Sequence, residues 1–123
     1  MALITIPKLT AKAQKVFNAY IRKRDSKDGY FTCISCGETK ETAQMNAGHF
    51  VPQKGSSALR FDEYNVNGEC IACNGFNEFH LIPYRYNLID KIGERRVMEL
   101  ESQFRLVKRW SRTELNELIA KYS

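Results

Sequence analysis

At 123 residues with 43% apolar content, the chain is long enough for one globular domain and too short for two ordinary ones. No run approaches the roughly 18 to 20 apolar residues of a membrane span, and the start lacks a signal peptide's basic and apolar segments, so a soluble cytoplasmic protein is expected. The net charge of +5 is uneven: residues 1–32 carry seven Lys/Arg against two Asp/Glu, residues 33–80 three against six, and residues 81–123 nine against six. Basic flanks around an acidic, cysteine-bearing centre fit arms that hold a polyanion and a middle that holds metal ions; solvated helix faces are the plainer alternative.

From Leu9 onward, Ala13, Val16, Phe17, Tyr20 and Ile21 recur at helical spacing, which predicts an amphipathic helix over 10–24 with Thr10 as its cap. Its other face carries Lys8, Lys12, Lys15, Arg22 and Lys23, a stripe suited either to DNA phosphates or to solvent. Asp25 to Gly29 reads as a turn, Tyr30 to Ile34 as a short strand, and residues 43–52 as a second extended piece. Asp62 to Gly68 is rich in Asn and Gly and is expected to be irregular, while Cys70 to Phe79 begins a short helix that Pro83 ends or bends. Tyr84, Leu88, Ile89 and Ile92 then predict a helix stopped by Gly93, another follows around 94–104, and a Ser111/Glu114 capping box opens a last one over 112–122.

The chemistry concentrates in the centre. Cys33, Cys36, Cys70 and Cys73 form two CxxC pairs separated by 33 residues, a spacing that lets two knuckles place four thiolates around one zinc. Disulfides are the alternative for such pairs, but a cytoplasmic setting favours metal thiolates. Four thiolates leave no open coordination position, so this zinc would be structural and any metal chemistry needs a second ion. Between and just after the knuckles stand Gly48-His49-Phe50-Val51-Pro52, Asn65 and Asn74.

Taken with the cysteines, that order resembles the zinc-bearing branch of the His-Asn-His nucleases. The resemblance implies a zinc-stapled ββα-metal core over 30–80, flanked by the N-terminal helix and a helical layer over 84–122, in a single α+β domain. It also implies roles: His49 as the base that activates water, Asn65 as the residue that pins the loop, and Asn74 as a ligand of the catalytic metal. Phosphodiester cleavage does need a base active near neutral pH and a divalent cation, Mg²⁺ or Mn²⁺, on the phosphate oxygens. The stretches Lys8-Leu9-Thr10, Phe17-Asn18-Ala19-Tyr20-Ile21-Arg22, Cys33-Ile34-Ser35-Cys36-Gly37, Ala47-Gly48-His49, Leu59-Arg60-Phe61 and Lys91-Ile92-Gly93 are similar to the NinG/Rap recombination endonucleases of lambdoid phages. That similarity implies cutting of branched DNA such as Holliday junctions and displacement loops inside the bacterial host. A homodimer, supplying two active sites for symmetric cutting, and other recombination proteins are the expected partners. The core order also resembles phage endonuclease VII.

One position departs from the pattern. Many His-Asn-His enzymes place an Asp just before the His as a metal ligand, and here that residue is Gly48. The sequence offers Glu78 first, four residues after Asn74 on the expected helix, then His80, then Asp62. Gly48 also keeps open a second class of function, a non-catalytic zinc-ribbon DNA-binding or adaptor protein. Arg60, Arg85, Arg95 and Arg96 are candidates for DNA backbone contacts, and Tyr84, Tyr86, Phe104 and Trp110 are expected mainly in the core.

Overall fold

The first helix begins earlier than Thr10. In the computed structural model, which describes residues 3–123, α1 spans Ile6–Asp25. Thr5 caps it by accepting a hydrogen bond from the Lys8 N–H, and Pro7 sits in the first turn, where its missing N–H loses no intrahelical bond. Thr10 is an interior residue whose hydroxyl donates to the Ile6 carbonyl at 2.8 Å. The helix buries Leu9, Ala13, Phe17 and Ile21 and leaves Lys12, Lys15 and Lys23 exposed.

Three short strands follow in one antiparallel sheet: β1 (Ser26–Lys27), β2 (Tyr30–Thr32) and β3 (Thr39–Glu41). Asp28-Gly29 forms the two-residue turn between β1 and β2 with both φ angles positive, the conformation that an Asp-Gly pair accepts most readily. A second sheet pairs β4 (Met45–His49) with β5 (Val66–Cys70), Met45 opposite Cys70 and His49 opposite Val66. The expectation of irregular backbone over 62–68 therefore fails at its end. Every residue of β5 is buried, because its polar side chains are met by tertiary partners: Asn67 bonds Tyr84, Arg24 and Lys91, while Glu69 meets Ser35 and His80.

Helix α2 (Ile71–Phe76) leaves β5 directly, and α3 (Leu81–Ile92), α4 (Glu94–Ser102) and α5 (Arg112–Tyr122) complete the chain. Pro83 neither ends nor bends a helix; it occupies the first turn of α3, where no backbone donor is required. Gly93, at φ +92°, separates α3 from α4, and Ser111 with Glu114 makes the reciprocal capping box of α5.

Helices α1 and α5 pack together against the hairpin side that carries Ala47 and Val66, around Phe17, Phe61 and Leu115. Tyr122 meets Phe17 edge-on at 4.9 Å between centroids, and Trp110 meets Phe61 at 5.0 Å. A second apolar cluster joins Ile34, Phe50, Val51 and Leu59 to Tyr84, Leu88, Val97 and Leu100 of α3 and α4. The hairpin β4–β5 is thus clamped from both sides. Among the described residues, no helix is long and apolar enough to cross a membrane.

Candidate metal centre and active site

The two cysteine knuckles come from the ends of strands. After β2, the chain turns through Cys33 to Gly37, with Gly37 at φ +75°, and the Gly37 N–H donates to the Cys33 carbonyl at 2.9 Å. The second knuckle forms where Cys70 ends β5 and caps α2, leaving Cys73 one turn later. All four Sγ atoms lie within 4.8 Å of one another. A tetrahedral zinc with bonds of about 2.3 Å places its sulfurs roughly 3.8 Å apart, so a small contraction closes the site. The N–H groups of Ser35, Cys36 and Cys70 point at Cys33 Sγ at 3.4, 3.4 and 3.3 Å, and Lys40 Nζ lies 3.5 Å from Cys70 Sγ. Such donors favour thiolates. The four cysteines are positioned to bind a metal ion, and their donor set suits a closed, structural zinc.

His49 ends β4 on the strand that leaves this knuckle region. Its Nε2 lies 3.0 Å from the Arg60 carbonyl oxygen, which can only accept, so Nε2 carries the proton and Nδ1 keeps its lone pair. Burial lowers the His49 pKa below the ordinary histidine value; the carbonyl bond opposes this and the Arg60 charge adds to it. The ring is therefore held as a neutral imidazole with a defined basic nitrogen. Asn65, fully buried, fixes the loop that supplies the Arg60 carbonyl. Its Oδ1 accepts from the Val51 N–H at 2.8 Å, and its Nδ2 donates to the carbonyls of Val51 and Leu59 at 3.0 and 3.3 Å.

The other candidates disperse. Asn74 is exposed on α2, which packs against β4 and β5. Glu78 lies beyond the end of α2 at Phe76 and is exposed, so the shared helical face expected for Asn74 and Glu78 does not exist. Asp62 uses its Oδ1 to cap a turn, accepting from the N–H groups of Tyr64 and Asn65. His80, at the start of α3, meets Glu69 through Nδ1 at 2.5 Å.

Among the basic residues, Lys12, Lys15 and Lys23 are exposed with no carboxylate partner among the described residues, and Arg22 is partly exposed. Arg60 donates to Gln14 at 2.7 Å, Arg85 forks onto Glu101 at 2.9 Å, Arg95 pairs with Glu99 at 3.4 Å, and Arg96 lies over Tyr64. Each of these four arginines has an intramolecular partner, and Arg95 is 94% exposed beside its own. Of the aromatic candidates, Tyr84 is buried and Trp110 packs and bonds Ser57, whereas Tyr86 and Phe104 are exposed.

Sequence reasoning misses Glu69. Its side chain is completely buried at the end of β5, and one of its oxygens has no hydrogen-bond partner. A single acid inside Asn65–Cys70 is its only trace, hidden because that stretch reads as a polar loop.

The model of a protein family described as Bacteriophage Lambda NinG protein matches residues 2–123. Protein ninG of Escherichia phage 933W is 41% identical over 111 residues, covering 90% of this chain and 53% of that protein. The proteins ninG of Salmonella phage P22 and Escherichia phage lambda are each 40% identical over 111 residues, 90% of this chain and 52% of theirs. The chain thus spans about half the length of these curated relatives. No solved structure matches it. A family match over nearly every residue, joined to relatives that keep two positions in five, makes this chain a member of the NinG family of lambdoid phage proteins.

Proposed function

We propose that this chain is an endonuclease of the His-Asn-His type, cleaving branched DNA such as four-way junctions and displacement loops with Mg²⁺ or Mn²⁺. The observation that carries the reading is His49: a neutral imidazole at a strand end, Nε2 tied to the Arg60 carbonyl and Nδ1 left as a base. Support also comes from the hairpin β4–β5 running straight into α2 at the cysteine cluster, the order a ββα-metal core requires.

In the reaction, His49 Nδ1 takes the proton of a water that attacks phosphorus in line. Burial keeps the ring unprotonated near neutral pH, and Asn65 keeps the Arg60 carbonyl in place so that the ring cannot turn. Asn74 would hold a divalent cation in part through its amide oxygen, and such an ion would supply charge stabilisation to the phosphodiester as it is cut. Lys12, Lys15, Lys23 and Arg22 on the outer side of α1 grip phosphates away from the cut. The products carry 5′-phosphate and 3′-hydroxyl ends. A dimer supplies two such sites to one junction in the host cytoplasm, alongside other recombination proteins.

The test incubates purified protein with end-labelled four-way and linear DNA, with Mg²⁺ or with EDTA. Metal-dependent product on the branched substrate is expected. Tight binding without any product would instead make the chain a non-catalytic zinc-bearing DNA binder.

A further inference from the structure

We infer that Glu69 supplies the metal-binding carboxylate that residue 48 lacks, an assignment that rests on the nuclease reading and adds a residue to its site. The strand register puts Asn46 opposite Glu69 and Gly48 opposite Asn67, so by alternation all four share one face of the hairpin. On that face, the side chain of Glu69 lies across Gly48. A β-carbon at residue 48 would overlap Glu69 Oε1 and stand 3.0 Å from Glu69 Cβ, so any side chain there would evict the carboxylate. Glycine before His49 and glutamate before Cys70 are therefore one arrangement: the acid comes from β5 into the space that an acid on β4 would fill.

The two oxygens of Glu69 differ. Oε2 is held by the Ser35 hydroxyl, which donates to it, and by His80 Nδ1 at 2.5 Å. Oε1 is buried and has no partner among the described residues. An unpartnered carboxylate oxygen in the interior is costly, because transfer from water is compensated only by a cation or by hydrogen bonds. Neither Ser35 nor His80 is permanently charged, and no Lys or Arg among the described residues pairs with Glu69. A hard divalent cation, Mg²⁺ or Mn²⁺, matches a carboxylate oxygen fixed in this way. His80 is then a positioning residue, acting through Glu69 rather than on the metal, as do the outer hydrogen-bond partners of metal-bound carboxylates generally.

Zinc-loaded protein is titrated with Mn²⁺, bound metal being read by electron paramagnetic resonance, and zinc content and circular dichroism report whether each variant is folded. The parent is expected to bind one Mn²⁺ beyond its zinc. Folded Glu69→Gln, which keeps size and hydrogen bonding, should bind at least about tenfold more weakly, since outer partners alone change affinity by about 10- to 100-fold. Gly48→Asp combined with Glu69→Ala should restore binding, because it returns the carboxylate to the same space from the other strand. If Glu69→Gln fails to fold, His80→Gln and Ser35→Ala free Oε2 without removing the acid, and each should weaken Mn²⁺ by about tenfold or more. Unchanged Mn²⁺ affinity in the folded variants, or a parent that binds no Mn²⁺ beyond zinc, overturns the assignment. Cutting of branched DNA that survives with unchanged Mn²⁺ affinity in Glu69→Gln removes Glu69 and keeps the nuclease. Mn²⁺ bound through Glu69 in a protein that cuts no DNA keeps the site and removes the nuclease.

Discussion

Replacing Asn65 with Ala isolates the device that holds the base in place. The side chain is fully buried and makes three bonds, from the Val51 N–H at 2.8 Å and to the Val51 and Leu59 carbonyls at 3.0 and 3.3 Å. Each such bond contributes about 1 kcal/mol net, and a buried donor left without a partner costs about 1 to 3 kcal/mol. Alanine loses all three and orphans the Val51 N–H, so a loss of about 3 to 5 kcal/mol is expected, a large share of the roughly 5 to 15 kcal/mol that folds a domain. Urea denaturation of zinc-loaded protein measures it as a lower midpoint at unchanged slope. Cleavage should fall more than stability alone explains, because the carbonyl on His49 belongs to Arg60, beside Leu59. A loss under about 1 kcal/mol would show that the loop, and the Arg60 carbonyl with it, stands without Asn65.

Cys70→Ser should leave less than one zinc per chain and lower the melting temperature, because metal binding and folding are coupled; full zinc occupancy with unchanged melting argues against the four-cysteine site. Lys12→Gln with Lys15→Gln should weaken DNA binding and flatten the plot of log affinity against log salt by about two, near 0.9 for each phosphate no longer neutralised; unaltered affinity returns the stripe to solvent. Cleavage should rise with pH with its midpoint below 6.5, the unshifted histidine value, because burial lowers the His49 pKa and the neutral ring is the base. A midpoint at or above 6.5 points to another group. The same shift makes the unfolded chain bind more protons between the lowered folded pKa and 6.5, so stability falls as pH drops through that window.

The features legible in the sequence are those that depend on local spacing. The CxxC pairs, the α5 capping box, the Gly93 break and the apolar stripe of α1 need only near neighbours to be recognised, and each stands in the fold where its pattern puts it. The start of α1 is misplaced because Thr10 suits a cap; the true cap is Thr5, with Pro7 at home in the first turn that follows. The strand β5 is hidden because its pattern is polar, and only folding reveals that Tyr84, Lys91, Ser35 and His80 satisfy Asn67 and Glu69. The shared helical face expected for Asn74 and Glu78 fails because α2 stops at Phe76, a stop that the Asn74-Gly75 pair and Asn77 signal locally. Glu69 escapes on the same ground, since a residue on an unrecognised strand has no face to share with Gly48.

One single-turnover comparison separates His49 as a catalytic base from His49 as a structural residue. Parent and His49→Ala, each with its zinc and each saturating a labelled four-way junction in Mg²⁺, are followed to 5′-phosphate product. Removing a positioned base costs about 10²- to 10⁴-fold in rate, so the variant should bind the junction as the parent does and cut it at least about a hundredfold more slowly. Cutting at the parent rate by a folded, zinc-loaded His49→Ala would show that His49 is not the base and pass the catalytic role to another group.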